Sequence, residues 1–275
     1  MLHERTYAIL GAGTMGQAVL RGLVTRAGVD PRRVVATVKH ADRAEAVATA
    51  LGVRVNTDNV SAARTADVIL LATKPKDVMA LLETLREAGA LDHQPLVISI
   101  AAGVTLARIE AALPPGARAI RAMPNTPCVV GEGMTVLSRG QRATNADLEL
   151  GCAVFRNLGR ARVLDEEHLD TVTGLSGSGP AFIYLVIEAL SEGGVMMGLP
   201  RAVAVELAAQ TVAGAARMVL ETGRHPASLK DDVTTPAGCT VAGLMEMEDG
   251  KIRSVLARTV QVSTLAAAGL GKPKG

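Results

Sequence analysis

Residues 6–16 read Thr-Tyr-Ala-Ile-Leu-Gly-Ala-Gly-Thr-Met-Gly. Four apolar residues, Tyr7 to Leu10, make a strand-length run that ends in Gly11-Ala12-Gly13-Thr14-Met15-Gly16, and a stretch of helical length follows at 15–27. Strand, GxGxxG turn and helix in that order are the fingerprint of a dinucleotide site. Gly11 permits the tight turn, Gly13 lets a pyrophosphate approach the backbone, and Gly16 lets the helix pack on the strand. The phosphates are expected on free N–H groups at the helix start. A Walker-type phosphate loop shares the Gly11/Gly16 spacing but needs Lys-Ser/Thr next, and this chain has Gln17-Ala18.

Outward from that turn the alternation continues. Short apolar runs at 34–37, 53–55, 68–72, 96–100, 117–122 and 134–137 alternate with helical candidates at 43–51, 78–88, 105–113 and 144–157. This predicts βαβ units and a mostly parallel sheet. The runs are continuously apolar rather than alternating, so both faces of the sheet are expected to be covered. After about Leu164 the strand-like runs stop. Helices are expected at 180–197, 201–222 and 251–270, with Gly198/Pro200 and Gly223/Pro226 marking ends. The expected architecture is an α/β Rossmann-like dinucleotide-binding domain over residues 1–163, followed by an all-α domain over 164–275. The second set of helices is rich in Ala and poor in bulky residues, and is expected to pack against a second subunit. The tail GKPKG is expected to fray.

Composition narrows the function. The 29 Lys+Arg and 27 Asp+Glu nearly balance, which argues against binding nucleic acid by counterion release. Two Phe, two Tyr and no Trp leave no platform for stacking bases. Cys128, Cys152 and Cys239 are widely spaced and form no CxxC pair, so neither a disulfide framework nor a metal site is expected. No continuous apolar run approaches the ~18 residues of a membrane span, and residues 1–13 lack a signal-peptide core. A cytoplasmic protein with no membrane partner is expected.

The second strand chooses the cofactor. NAD enzymes place Asp or Glu at its end to hold the ribose 2′-OH. Here the chain reads Ala36-Thr37-Val38-Lys39-His40-Ala41-Asp42-Arg43. With no acid at the strand's end, and with Lys39, His40 and Arg43 available to a 2′-phosphate, NADPH is expected; Asp42 keeps NADH open. Ligands of an open parallel sheet lie beyond the carboxyl ends of its strands. There the chain has Ala72-Thr73-Lys74-Pro75, Ser99-Ile100-Ala101-Ala102-Gly103 and Met123-Pro124-Asn125-Thr126-Pro127. Small residues in the first two would let a flat cofactor lie against the backbone.

Two further segments stand out, Thr173-Gly174-Leu175-Ser176-Gly177-Ser178-Gly179-Pro180-Ala181 and the stretch from Leu229 to Leu244, LKDDVTTPAGCTVAGL. Together with GAGTMG, Lys74-Pro75, SIAAGV and RAMPNTP, they closely resemble pyrroline-5-carboxylate reductases over residues 6–265. The resemblance implies a Rossmann domain joined to a helical domain that interlocks with a second subunit, giving a homodimer or a larger assembly of dimers. It implies reduction of Δ1-pyrroline-5-carboxylate to L-proline with NAD(P)H. By motif position, the cofactor would contact Gly11 to Gly16, Thr37 or Val38, Asn59, Ala72 to Pro75, and Ala101-Ala102. The substrate carboxylate would meet the Gly238-Cys239-Thr240 turn and Thr235, and Glu166 matches a further substrate position. Where the family often has Ser-Pro-Gly-Gly, this chain has Thr235-Pro236-Ala237-Gly238.

The residues themselves agree with that reading. Thr235-Pro236 is read as an N-cap followed by Pro at N1, with Thr240 a second candidate cap. Either would present free N–H groups to a carboxylate. Thr240 is the candidate for a hydrogen bond to the ring nitrogen. Because the carboxylate turn and the nicotinamide loops belong to different halves, the site is expected between subunits. Three rival readings carry less. A 3-hydroxyacid dehydrogenase shares the GxGxMG start but carries a catalytic Lys early in its second domain, and no lysine lies between Glu166 and Arg224. The segment Gly174-Leu175-Ser176-Gly177-Ser178 fails the GxSxG hydrolase pattern at its last position. A non-catalytic NADP-binding homologue is opposed by the intact carboxylate turn.

Overall fold

The computed structural model describes residues 1–270; the GKPKG tail, 271–275, lies outside the described residues. Eight strands make one sheet: β1 (Tyr7–Leu10), β2 (Val34–Thr37), β3 (Arg54–Asn56), β4 (Val68–Leu71), β5 (Leu96–Ser99), β6 (Arg118–Pro124), β7 (Gly133–Arg139) and β8 (Gly159–Val163). Their spatial order is β3-β2-β1-β4-β5-β6-β7-β8. All neighbours are parallel except β6 and β7. Crossover helices return the chain between parallel strands: α1 (Thr14–Arg21), α2 (Ala44–Leu51), α3 (Asn59–Ala63), α4 (Pro75–Glu87), α5 (Leu106–Ala112) and α6 (Asn145–Arg156). A 3-10 turn at Thr126–Val129 suffices between the antiparallel pair β6 and β7.

The continuous apolar strands are explained by two cores, one on each face. Tyr7 and Ile9 of β1 enter one core with Val19, Leu23 and Phe155. Ala8 and Leu10 enter the other with Ile69, Leu82 and Val97. Alternate residues of a strand point to opposite faces, so a strand covered on both sides has no solvent-facing side to make polar. β8 has no counterpart among the expected runs. Its sequence Gly-Arg-Ala-Arg-Val exposes Arg160 and Arg162 at the sheet edge, where charge discourages further strand pairing.

Among the described residues no strand follows Val163. The helices are α7 (Leu169–Val172), α8 (Gly179–Met196), α9 (Arg201–Thr222), α10 (Pro226–Asp232), α11 (Cys239–Asp249) and α12 (Ile252–Gly269). A π-turn, Thr173–Gly177, separates α7 from α8. The chain forms two compact units: residues 1–178 with the end of α12 from Val262, and residues 179–261. Within the second, α8 and α9 pack together, and Gly198 turns the chain between them at φ +97°. Large apolar side chains of this unit remain uncovered, among them Leu185 at 65 % exposure and Met196 and Met197 at 85 % and 86 %. Among the described residues, α9 alone is long and apolar enough to cross a membrane, by length and composition only.

Candidate active site

The strand order reverses direction at β1, between β2 and β4, and a doubly wound sheet opens its ligand crevice at such a switch point. The loops leaving β1 and β4 both border it. Gly11 has φ +100°, and a Cβ there would lie 2.9 Å from the carbonyl carbon and oxygen of Ala72. The two loops are therefore as close as backbones can come, and only glycine serves at this position. A Cβ on Gly16 would overlap the Gly11 carbonyl oxygen, whereas one on Gly13 would meet nothing within 4 Å. The tight turn, the open approach and the close helix packing thus fall on the glycines read for those roles.

The turn is braced from β2. Ala12 N–H donates to the Thr37 carbonyl at 2.6 Å. Gly11 N–H donates to Thr37 Oγ1 at 3.1 Å, and that hydroxyl donates to Asn59 Oδ1 at 2.6 Å. Thr37 and Asn59 are consequently part of the frame that holds the glycine turn. No side chain caps α1, and the amides of Thr14, Met15 and Gly16 have no acceptor among the described residues. Three free donors over an open Gly13 fit a pyrophosphate.

Beyond Thr37, Val38 is buried while Lys39, His40 and Arg43 are exposed, and none of these three forms an ion pair among the described residues. Lys39 and Arg43, unpaired cations beyond the end of β2, fit a 2′-phosphate, with the His40 ring beside them. On the β4 loop, Lys74 is the N-cap of α4 and Pro75 its first residue, so a stiff turn follows Ala72 and Thr73. Thr73 Oγ1 is buried with no hydrogen-bond partner among the described residues, an open polar valence beside the Gly11 turn. After β5, Ala101 is buried, its N–H 3.3 Å from Ser99 Oγ, and Ala102 is half-buried.

Glu166 lies in a charged cluster that the sequence did not reveal. Its Oε1 accepts from Leu106 N–H at 2.6 Å and from Arg121 Nη1 at 3.1 Å. Arg121 Nη2 also reaches Asp170 Oδ1 at 3.2 Å. The Arg121 side chain is only 4 % exposed, and two carboxylates and no other ion-pair partner among the described residues meet it. Asn125 also faces protein: its Oδ1 accepts from Met134 N–H at 2.8 Å, and its Nδ2 donates toward the Ser176 carbonyl and hydroxyl at 3.2 and 3.3 Å.

In the second unit, the segment from Thr235 to Thr240 takes a different form from the one expected. Thr235 is not a helix cap and Pro236 is not a first helical residue. Gly238 N–H donates to the Thr235 carbonyl at 3.0 Å, closing a turn with Pro236 at its second position and Ala237, φ +56°, at its third. Pro before a positive-φ residue is the sequence logic of a type II turn. The helix α11 starts at Cys239 with Gly238 as N-cap, so Thr240 is its second residue rather than its cap. An uncapped helix start is still present, one turn later. No side chain caps α11, and the amides of Cys239 and Thr240 have no acceptor among the described residues. A Cβ on Gly238 would lie 2.4 Å from Thr235 Oγ1 and 3.0 Å from the Thr235 carbonyl oxygen, so a side chain there would crowd the turn. Thr240 is half-buried, and its hydroxyl has no protein partner among the described residues.

A model of the NADP oxidoreductase, coenzyme F420-dependent family matches residues 6–103, and a model named pyrroline-5-carboxylate reductase dimerisation matches residues 166–270. Pyrroline-5-carboxylate reductase of Schizosaccharomyces pombe is 41% identical over 97% of this chain and 99% of its own. The chain belongs to the pyrroline-5-carboxylate reductase family. The family's Methanosarcina acetivorans member is 41% identical over 98% of this chain and 100% of its own. Among solved structures, the reductase of Coxiella burnetii superposes with a TM-score of 0.90 at 34% identity, covering 98% of this chain and 99% of that one. The Plasmodium falciparum member, solved with NADP bound, superposes at 0.87 with 26% identity over 98% of this chain and 99% of its own. These reductases match both the sheet and the helices that follow it.

Proposed function

We propose that this chain reduces Δ1-pyrroline-5-carboxylate to L-proline, with NADPH as the preferred reductant, as the last step of proline synthesis. One observation carries the reading: a single chain holds two uncapped helix starts, the amides of Thr14, Met15 and Gly16 for a pyrophosphate and those of Cys239 and Thr240 for a carboxylate. The bound dinucleotide supplies a hydride from its nicotinamide ring. Gly11 to Gly16 hold its phosphates, Thr37, Val38 and Asn59 border its ribose, and Lys39, with His40 and Arg43, meets the 2′-phosphate. Ala72 to Pro75 and Ala101-Ala102 give it flat backbone to lie against.

On the substrate side, the Cys239 and Thr240 amides and the Thr235 hydroxyl take the carboxylate, with Gly238 as the N-cap whose own N–H is spent on the Thr235 carbonyl. The hydride goes to the imine carbon and the ring nitrogen ends with a proton. A substrate that arrives as the iminium already carries that proton, so the protein needs no strong general acid. The Thr240 hydroxyl orients the ring nitrogen, and the remaining Glu166 oxygen faces the substrate's positive charge. The glycine turn and Glu166 belong to one compact unit and the Thr235–Thr240 segment to the other.

The smallest working form is a homodimer. The helical unit leaves its largest apolar side chains uncovered, and a second copy supplies the apolar cover they lack. A reducing cytoplasm suits three free cysteines; burial pushes the Cys128 and Cys152 thiols up and makes them unreactive.

The purified chain is expected to oxidise NADPH only when pyrroline-5-carboxylate is present, followed by nicotinamide absorbance, with higher kcat/KM than for NADH. Absence of turnover with the imine overturns the reading; a higher kcat/KM with NADH overturns the role of Lys39, His40 and Arg43.

A further inference from the structure

The segment Thr173–Ala181, prominent in the sequence, supplies no residue to the proposed chemistry. The structure places it where the chain leaves its first compact unit: residues 1–178 and the end of α12 from Val262 belong to that unit, and residues 179–261 to the other. The two crossings are stitched together on the first unit's side. Ser263 Oγ donates to Ser178 Oγ at 2.9 Å. Gly174 is seated on α12, where a Cβ would lie 2.7 Å from Thr264 N and 3.0 Å from its Cα. A Cβ on Gly177 would lie 2.8 Å from Met123 Cε. The π-turn closes on itself through Ser178 N–H to the Thr173 carbonyl at 2.8 Å, and Thr173 Oγ1 donates to the Leu169 carbonyl at 2.7 Å. Short π-turns inside helices concentrate at functional positions.

One side chain ties this joint to the sheet. Asn125 follows the last residue of β6, at the end of the sheet where the nucleotide loops emerge. Its amide nitrogen grips Ser176 at both the carbonyl and the hydroxyl, while its amide oxygen takes Met134 N–H at the start of β7. All five polar atoms named lie within one unit, and every hydrogen-bonding group of the Asn125 amide faces protein. An asparagine used this way is a bracket between two loops.

We propose that Asn125 is a positioning residue for hydride transfer: its clasp on Ser176 holds the turn from which α8 departs. The inference rests on the reductase reading, because hydride transfer depends on how firmly the chain around its reacting groups is held. Near-attack geometry tolerates little slack, and an error of about 1 Å costs on the order of a hundredfold in rate.

The test uses the full-length enzyme with NADPH and pyrroline-5-carboxylate. Asn125→Asp keeps the acceptor for Met134 N–H but replaces the donor to the Ser176 carbonyl with a second oxygen. It is expected to lower kcat at least tenfold, while the Kd for NADPH, read by titration without substrate, stays within twofold. Gly174→Ala drives a methyl into Thr264 and loosens the same joint from the other crossing. It is expected to show the same split, and it decides the matter should Asn125→Asp fail to fold. A wild-type kcat in either folded variant overturns the proposal, as does an NADPH Kd that weakens by the same factor as kcat falls. If the wild-type enzyme itself does not turn over the imine, the reductase reading falls and the proposal with it.

Discussion

The sheet unit and the helical unit solve the burial problem in opposite ways. In the sheet unit each apolar run finds its cover within the same chain: β1, β4 and β5 are buried at every residue. In α8 and α9, forty residues long together, only Ser191, Ala204 and Ala208 are buried, while Tyr184, Leu185, Met196 and Met197 stand in solvent. Exposed apolar surface on this scale marks an interface. The contrast teaches that the two units draw stability differently: the sheet unit closes its own cores, and the helical unit, which matches a dimerisation model, leaves its apolar side chains open.

The largest expected effect breaks the partnership. Leu185→Asp places a charge on an apolar face and is expected to yield monomers with no measurable turnover. Its affinity for NADPH should fall far less, because the sheet unit has its own core. Analytical ultracentrifugation beside nucleotide titration checks this; a fully active monomer refutes the division of labour. In the wild type, Tm should rise with protein concentration, as mass action requires of a dimer that stabilises its own fold.

Next in size is a change confined to the self-sufficient unit. Gly16→Ala forces a methyl into the Gly11 carbonyl oxygen, where backbone rather than a flexible side chain must yield. NADPH affinity is expected to fall about a hundredfold, equivalent to ~3 kcal/mol, with the oligomer unchanged. In the helical unit, Thr240→Ala is expected to lower kcat/KM about tenfold, the worth of one hydrogen bond to a charged group. Thr240→Ser keeps the hydroxyl and should lose less. Steady-state kinetics with varied imine distinguishes both from wild type.

The same contrast governs what could be read from the sequence. The βαβ alternation and the glycine turn are local, so their pattern follows directly from residues a few positions apart. β8 escaped because an edge strand needs no apolar run, and its arginines read as loop. Arg121 lay inside the apolar run at 117–122, and a charge in such a run signals a buried partner. The partners, Glu166 and Asp170, stand 45 and 49 residues away, a distance no periodicity bridges. At Thr235-Pro236 local preference pointed to a helix start, but the Gly238 N–H to Thr235 carbonyl bond closes a turn first and delays the helix to Cys239.

The smallest effect is expected at the residue inside that turn. Ala237 has φ +56°, a region that costs an L-residue with a Cβ about 1–2 kcal/mol. Glycine adopts it freely, and glycine is what the resembling family often places at the third position of this turn. Ala237→Gly removes the strain but adds backbone freedom to the unfolded chain, a loss of roughly 0.5–1 kcal/mol. The two nearly cancel, so Tm should rise by a few degrees at most. The kinetic consequence is sharper in kind, though small: with strain gone, the turn can settle around the carboxylate, and KM for the imine should fall severalfold while kcat is unchanged. A higher KM would mean that the alanine methyl holds the Cys239 and Thr240 amides in place, and that the strain is part of how this chain grips its substrate.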